Sequence, residues 1–213
     1  MKRIAIIITT LFSFVVAAAA EPDWEKIAES CNRLDSDFVS DIINIGFTKE
    51  SPRQILEEDY YTLLKDSVWG GNLPISGGWG YTQEDSVIIN KDDPSVIQSM
   101  PFDGIGLEYF FIEHRIYEEL ITFRPRGEGL RAIRWKQLIQ EVRQNGQRYF
   151  DYHRYFVFGF SEKDFEYRKK IYTDNNGFKD DPEGLERHRE EDYRVVTCYE
   201  TDYWFDITSF YRK

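Results

Sequence analysis

The stretch Arg148-Tyr-Phe-Asp-Tyr-His-Arg-Tyr-Phe-Val-Phe-Gly-Phe160 carries the strongest structural signal in the chain. Aromatic and β-branched residues dominate it, and this composition favours a β-strand over a helix. Side chains alternate between the two faces of a strand, so one face should collect Phe150, Tyr152, Phe156, Phe158 and Phe160. The sequence therefore predicts a strand over 148–160 with one strongly aromatic face.

The residues before this strand predict its partner. Asn145-Gly146 is a common two-residue turn between antiparallel strands, and it lies directly before the predicted strand. A helix over 131–143 is the alternative, because one helical face would collect Trp135, Leu138, Ile139 and Val142. The turn signal favours a β-hairpin.

Two elements are predicted after this hairpin. Ser161, three residues before Asp164, is typical of a helix N-cap, and the helix should end near Gly177. Residues 175–189 are polar and are expected to form a mobile surface segment. Alternation over 195–207 then predicts a last strand, one face of which would hold Val195, Thr197, Tyr199, Thr201, Tyr203, Phe205 and Ile207.

The first half of the chain is predicted to begin with helices. Apolar residues recur every three or four positions over 22–45, and Ser51-Pro52 is a typical start for a second helix over 51–65. A short strand is expected at 86–90. Residues 107–123 are either a strand or a helix, and their β-branched and aromatic content favours a strand.

These elements together predict an α+β fold. N-terminal helices would pack on a mostly antiparallel sheet of about five strands, with one helix inserted before the last strand. Neither an internal repeat nor a linker divides the chain, so 21–213 is expected to form a single domain.

Residues 1–20 have the pattern of a cleavable signal peptide. Lys2 and Arg3 precede an apolar run over 4–16, and small alanines follow at 17–20. A membrane anchor is the alternative, but the run is shorter than the roughly 18–20 residues that span a bilayer. We therefore expect a periplasmic or secreted protein that begins at Glu21 and has no stable membrane insertion after cleavage.

Cys31 and Cys198 are the only two cysteines. In an exported protein such a pair is expected to form a disulfide, here between the two ends of the domain. Two buried free thiols are the alternative.

The charge of the chain limits its partners. The net charge is −11, and removal of residues 1–20, which hold two basic and no acidic residues, would leave −13. A field of this sign repels phosphates, so neither nucleic acid nor an anionic membrane is an expected partner. The stretch 124–154 is an exception, because it contains eight basic and three acidic residues.

The sequence contains none of the common catalytic or cofactor motifs. Gly-x-Ser-x-Gly and Ser-x-x-Lys are missing, and the three histidines have no second ligand nearby in sequence, so neither a transition-metal site nor a cofactor is expected. Paired carboxylates could still hydrolyse a polysaccharide. The candidates, singled out only by their abundance, are Glu108, Glu113, Glu118 and Glu119.

Two groups of residues are candidates for binding. A glycine-rich loop places Trp69, Trp79 and Tyr81 where they could stack on a ligand, although tryptophans in such a loop also often close a core. A basic stretch holds Arg124, Arg126, Arg131 and Arg134, which could bind carboxylates or instead pair with the protein's own acids.

These observations favour an extracytoplasmic, non-catalytic binding or accessory protein. It would contact another protein or an envelope polymer through the aromatic loop and the arginine-bearing strands. The alternative is an envelope carbohydrate hydrolase that uses two carboxylates beside tryptophan platforms.

Overall fold

The computed structural model describes residues 21–34, 73–96, 101–122 and 128–211. In chain order the elements are α1 (Trp24–Ser30), β1 (Asn32–Arg33), β2 (Ile75–Gly77), β3 (Val87–Ile89), α2 (Gly104–Tyr117), β4 (Arg131–Asn145), β5 (Arg148–Phe160), α3 (Glu162–Asp174), α4 (Pro182–Val195) and β6 (Thr197–Asp206). The predicted α+β class is confirmed. The predicted signal peptide and the predicted helix over 51–65 lie outside the described residues.

The strands form one mixed sheet of six strands. The order is β2-β3-β6-β5-β4, and β1 also pairs with β6. β1 and β3 run parallel to β6, whereas β2–β3, β4–β5 and β5–β6 are antiparallel. The longest strands, β4 and β5, therefore lie at one side of the sheet.

The hairpin predicted around Asn145-Gly146 is confirmed. Asn145 pairs with Arg148, so the loop consists of Gly146 and Gln147. Gly146 has a φ of 60°, in the left-handed region where glycine carries no steric penalty. The register shifts between Gln137 and Ile139, which places a bulge at Leu138.

Residues 107–122 are helical, so the strand predicted over 107–123 is wrong. Asp103 caps α2 by accepting a hydrogen bond from the backbone of Gly106, and a π-helical turn, Glu118–Thr122, extends it. The buried positions of α2 recur with helical spacing, at Leu107, Glu108, Phe111, Ile112, Arg115 and Ile116. Periodicity, rather than the proportion of β-branched and aromatic residues, decides this element.

The first helix is shorter than predicted. α1 ends at Ser30, and Cys31 takes an extended conformation instead of continuing the helix. The next two residues pair with Thr197 and Cys198 of β6, and a disulfide joins Cys31 to Cys198, as the sequence predicts. The part of the predicted helix beyond residue 34 lies outside the described residues.

The segment before β6 holds two α-helices where the sequence predicts one. Ser161 caps α3, as expected, and a 3-10 turn, Asn176–Phe178, follows it. Asp181 caps α4, with Pro182 in its first turn. Much of the polar segment 175–189 is therefore helical.

Helices cover both faces of the sheet. α2 packs on one face, where its apolar side chains contact Tyr155, Val157, Tyr199, Tyr203 and Phe205. α1 packs on the other face through Ile27, which lies among Phe156, Phe158, Val196 and Cys198. The aromatic face predicted for β5 is therefore only one of its two buried faces.

Within the described ranges, no helix is both long enough and apolar enough to cross a bilayer.

Candidate functional site

The aromatic loop contributes to the interior of the protein. Trp79 is completely buried, and the guanidinium of Arg115 lies 4.8 Å from the centre of its ring. The hydroxyl of Tyr81 donates a hydrogen bond of 2.8 Å to Glu119. The burial of Trp79 corresponds to the core-closing alternative for the tryptophans, whereas Trp69 lies outside the described residues.

Glu119 accepts hydrogen bonds from three tyrosines. Besides Tyr81, Tyr199 donates at 2.5 Å and Tyr203 at 3.0 Å. Burial raises the pKa of Glu119, and the hydrogen bonds from the tyrosines oppose that shift. Beside this group, Arg115 and Glu118 form a fully buried ion pair at 2.9 Å. Glu119 thus joins the π-helical turn to β6, and the side chains of Arg115, Glu118 and Glu119 are all buried.

The predicted arginines divide between described and undescribed residues. Arg124 and Arg126 lie outside the described residues. Arg131 lies at the start of β4 and forms an exposed ion pair of 2.8 Å with Glu162. Arg134, further along β4, is exposed and is joined to no carboxylate within the described part of the chain. Arg134 is therefore the predicted contact residue best placed to meet another molecule.

β4 presents a long exposed edge. It spans 15 residues, and among the described residues it pairs only with β5. Three of its apolar side chains are well exposed: Leu138 at 46%, Ile139 at 38% and Val142 at 44%. Apolar side chains beside unpaired backbone groups are unusual on a protein surface, because such an edge readily accepts another strand.

The face of the sheet next to this edge carries one arginine that contacts aromatic rings and one that contacts a carboxylate. The guanidinium of Arg143 lies 3.9 Å from the ring centre of Tyr152 and 4.8 Å from that of Trp204. Arg154 makes two hydrogen bonds to Asp202, at 2.7 and 3.0 Å. The arginines on this face are therefore held in place by their neighbours.

A separate polar cluster lies between α2 and β5. Nε2 of His153 lies 3.2 Å from Oε2 of Glu108 and 3.5 Å from Oδ2 of Asp151. All three residues are buried: their side chains are 0%, 1% and 7% exposed, respectively. Alternation along β5 places Asp151 and His153 on the same face, and α2 places Glu108 opposite them.

The ionisation of this cluster depends on burial and on hydrogen bonds. Burial raises the pKa of Glu108 from 4.5 to about 7. Burial opposes the charged forms of Asp151 and His153 as well, but hydrogen bonds outweigh it, so that the pKa of Asp151 falls and that of His153 rises. The cluster is thus suited to hold positive charge between two carboxyl groups.

Two glutamines and a tyrosine connect this cluster to the surface. Gln140 donates a hydrogen bond of 2.9 Å to Asp151, and Gln137 lies 3.4 Å from Nδ1 of His153. The hydroxyl of Tyr109 contacts both glutamines, at 3.4 and 3.2 Å. Gln140 is exposed, so a polar path leads from the surface to Asp151.

Three of the carboxylates considered for hydrolysis are inaccessible. Glu108, Glu118 and Glu119 are at most 1% exposed, and only Glu113 is at the surface. A polysaccharide could not reach the buried three in this conformation. Their burial favours structural or ion-binding roles for them.

The cluster of Glu108, Asp151 and His153 was not predicted from the sequence. Its residues are not close together along the chain, because the cluster joins a helix to a strand about 45 residues away. The available signal was the pair Asp151-x-His153, because two polar residues on one face of a strongly apolar strand need polar partners.

No family model, curated protein or solved structure matches the chain.

Proposed function

We propose that this chain is an extracytoplasmic, non-catalytic binding domain that takes an extended, acidic segment of a partner protein along β4. The observation that carries the proposal is the exposed outer edge of β4, which spans 15 residues and has no partner strand within the described residues. An extended peptide that adds to such an edge gains main-chain hydrogen bonds along its length.

Two observations support an extracytoplasmic location. Residues 1–20 have the charged, apolar and small-residue regions of a signal peptide. The disulfide between Cys31 and Cys198 is a bond that persists in oxidising compartments such as the periplasm and the extracellular space.

The side chains of β4 favour an acidic partner. β4 carries four basic residues, Arg131, Arg134, Lys136 and Arg143, against the single carboxylate of Glu141. Arg134 and Lys136 are exposed and have no ion-pair partner among the described residues. Carboxylates on an added strand would lie close to them, and cross-strand pairs of opposite charge stabilise a sheet.

The same charges disfavour a second copy of this chain as the partner. Two β4 strands placed edge to edge would bring eight basic residues together against two acidic ones. Basic side chains on an edge strand are a common protection against such self-pairing. A partner of opposite charge avoids this repulsion.

Exposed apolar side chains would add specificity. Leu138, Ile139 and Val142 lie within a few residues of one another on β4, and the bulge at Leu138 interrupts the regular alternation of side chains between the two faces. A partner strand with alternating acidic and apolar residues would match both features of β4.

The test uses the oxidised chain over 21–213 and two labelled ten-residue peptides, one alternating glutamate with valine and one alternating lysine with valine. Fluorescence anisotropy should give binding of the glutamate peptide at least tenfold tighter than binding of the lysine peptide. Hydrogen exchange should show new protection of backbone amides within 131–145. Equal binding of the two peptides, or protection that falls elsewhere, would overturn the proposal.

Charge-reversal variants distinguish a contact at β4 from attraction by net charge. Arg134→Glu with Lys136→Glu should weaken binding of the glutamate peptide at least fivefold, with unchanged thermal stability. Lys163→Glu with Lys179→Glu makes the same change of charge at exposed positions outside the sheet and should leave binding within twofold. Equal losses in the two variants would indicate attraction by net charge alone and would contradict a contact at β4.

An anionic polysaccharide is the alternative ligand for the same basic residues. Polygalacturonate should bind more weakly than the glutamate peptide and should not protect the amides of β4, because it cannot form strand hydrogen bonds. Tighter binding of polygalacturonate would assign the surface to an envelope polymer and overturn the choice of a protein partner.

A further inference from the structure

We propose that Glu108, Asp151 and His153 form a binding site for a divalent transition-metal ion, with Zn²⁺ as the best-matched ion. This site lies between α2 and β5, and the inference is independent of the function proposed for β4.

Two of the three distances between the ligand atoms are close to those of tetrahedral coordination. Nε2 of His153 lies 3.2 Å from the nearer oxygen of Glu108 and 3.5 Å from that of Asp151, and one ligand atom from each residue lies within 4.8 Å of the others. In a tetrahedral Zn²⁺ site with bonds of about 2.0–2.2 Å, neighbouring ligand atoms are about 3.3–3.6 Å apart. A small shift of Glu108 or Asp151 would complete three ligand positions around one ion.

One buried acceptor of the cluster has no hydrogen-bond partner among the described residues. Two carboxyl groups converge on one nitrogen of His153, and that nitrogen carries at most one hydrogen. Oδ1 of Asp151 is buried and makes no hydrogen bond within the described part of the chain. A buried carboxylate oxygen without a partner is costly, and a metal ion bound between the two carboxylates would offset that cost.

Neighbouring residues can support the ligands. Gln140 donates to Oδ2 of Asp151 at 2.9 Å and so fixes the orientation of that carboxylate. When His153 binds through Nε2, its hydrogen lies on Nδ1, and the carboxamide of Gln137 is 3.4 Å from that atom. The side-chain oxygen of Gln137 can accept this hydrogen after rotation of the amide. Such second contacts orient histidine and carboxylate ligands in many metal sites.

The chemistry of the ligands selects the ion. Two carboxylates neutralise the charge of a divalent cation, and an imidazole nitrogen favours Zn²⁺ and its neighbours over Ca²⁺ and Mg²⁺. Ca²⁺ takes six to eight oxygen ligands, which a buried cluster of three side chains does not offer. Gln140 and Tyr109, which is 42% exposed, lie on the route from the surface, and the ion could enter past them.

The direct test is a titration of the oxidised chain over 21–213 after treatment with EDTA. Isothermal titration calorimetry should show one Zn²⁺ bound per chain, and MgCl₂ and CaCl₂ should give affinities at least 100-fold lower. Thermal unfolding should shift upward with Zn²⁺, because the ion binds only the folded arrangement of ligands. Failure of the wild-type chain to bind Zn²⁺ would overturn the proposal.

Variants locate the ion. Asp151→Asn and Glu108→Gln keep the shape of each side chain and remove a charged ligand, so each should weaken Zn²⁺ binding at least 30-fold. His114→Gln removes a histidine outside the cluster and should leave binding within twofold. Equal Zn²⁺ affinity in all three variants would overturn the assignment, because the ion would then lie elsewhere.

Spectroscopy of the wild-type chain tests the site without any variant, and so remains valid if a cluster variant does not fold. Co²⁺ added to the wild-type chain should give the intense visible absorption of four-coordinate cobalt, and Zn²⁺ should displace it. The imidazole resonances of His153 should shift on titration with Zn²⁺, while those of His114 and His188 stay in place. A weak spectrum typical of six-coordinate cobalt, or shifts confined to the other two histidines, would contradict the proposed site.

Discussion

The guanidinium of Arg143 lies over the ring of Tyr152 on the neighbouring strand, with its central carbon 3.9 Å from the ring centre. The same guanidinium lies 4.8 Å from the ring centre of Trp204 on β6 and contacts Glu141 on its own strand. One side chain thus joins three strands at the surface, where a planar cation can stack on two aromatic rings.

Loss of this stack should weaken the sheet measurably. Arg143→Ala should lower the free energy of unfolding by about 0.5–2 kcal/mol, because it removes a cation from two aromatic faces together with its packing. Arg143→Lys keeps the charge but not the flat stack and should retain part of this stability. Urea unfolding followed by tryptophan fluorescence measures both variants, and equal stability of Arg143→Ala and wild type would contradict a stabilising contact.

Trp79 should behave as a core residue. Trp79→Ala should destabilise the fold by about 3–5 kcal/mol, the usual cost of removing a large buried aromatic side chain. Tyr81→Phe removes one of the three hydroxyl groups that donate to Glu119 and should cost about 1–3 kcal/mol. Chemical denaturation gives both values. A folded Trp79→Ala protein of near wild-type stability would show that the ring is not needed in the interior.

The disulfide should contribute substantially to stability. Cys31→Ser with Cys198→Ser removes a cross-link between residues separated by 167 positions, and the loss should be about 2–5 kcal/mol. Thermal unfolding of the variant and of the oxidised chain gives the difference. Addition of a reductant should lower the stability of the wild-type chain to that of the variant and leave the variant unchanged.

Acid should destabilise the contact between α3 and α4. Nδ1 of His188 lies 2.6 Å from a guanidinium nitrogen of Arg168, so this imidazole accepts a hydrogen bond and must be neutral there. Burial lowers the pKa of His188; Asp192 opposes this shift and Arg168 adds to it. The unfolded chain therefore binds a proton before the folded chain as the pH falls.

The contribution of neutral His188 to the free energy of unfolding is consequently present above about pH 6.5, the usual pKa of histidine. It is lost as the pH falls below that value. His188→Gln keeps an acceptor for Arg168 but cannot be protonated, so its free energy of unfolding should fall less between pH 7 and pH 5. Urea unfolding at a series of pH values provides the comparison. Parallel pH profiles for wild type and His188→Gln would exclude a role for this histidine.

The elements predicted correctly are those fixed by neighbouring residues. Gly146 permits the tight turn that makes the hairpin, Ser161 caps α3, and alternation defines β6. Each depends on backbone sterics or on a hydrogen bond within a few residues. The disulfide was also predictable, because two cysteines allow a single pairing.

The elements predicted wrongly depend on what packs against them. Residues 107–123 contain many residues that favour strands. The apolar residues that recur at helical spacing along α2, however, are buried against Tyr203 and Phe205, and this packing favours the helix. For β5 the sequence predicts one aromatic face, but not the burial of the opposite face, which arises because helices cover both sides of the sheet. Propensity gives way to tertiary packing at such positions.

The candidate sites were only partly predictable. Arg131 and Arg134 were singled out by local charge, and both lie on β4. The polar cluster could not be found in this way, because Glu108 meets His153 only once α2 has packed on β5. The spacing of residues along the sequence does not reveal the distance between Glu108 and His153 in the folded chain.

The bond between Cys31 and Cys198 also determines how the domain responds to pulling. Tension applied before residue 31 and after residue 198 would pass through the covalent link, and the 167-position loop between the two cysteines would bear none of it. Residues 199–206 of β6 lie beyond the link and would still carry the load, whereas β4 and β5 lie inside the loop and would be shielded from it only while the bond is intact.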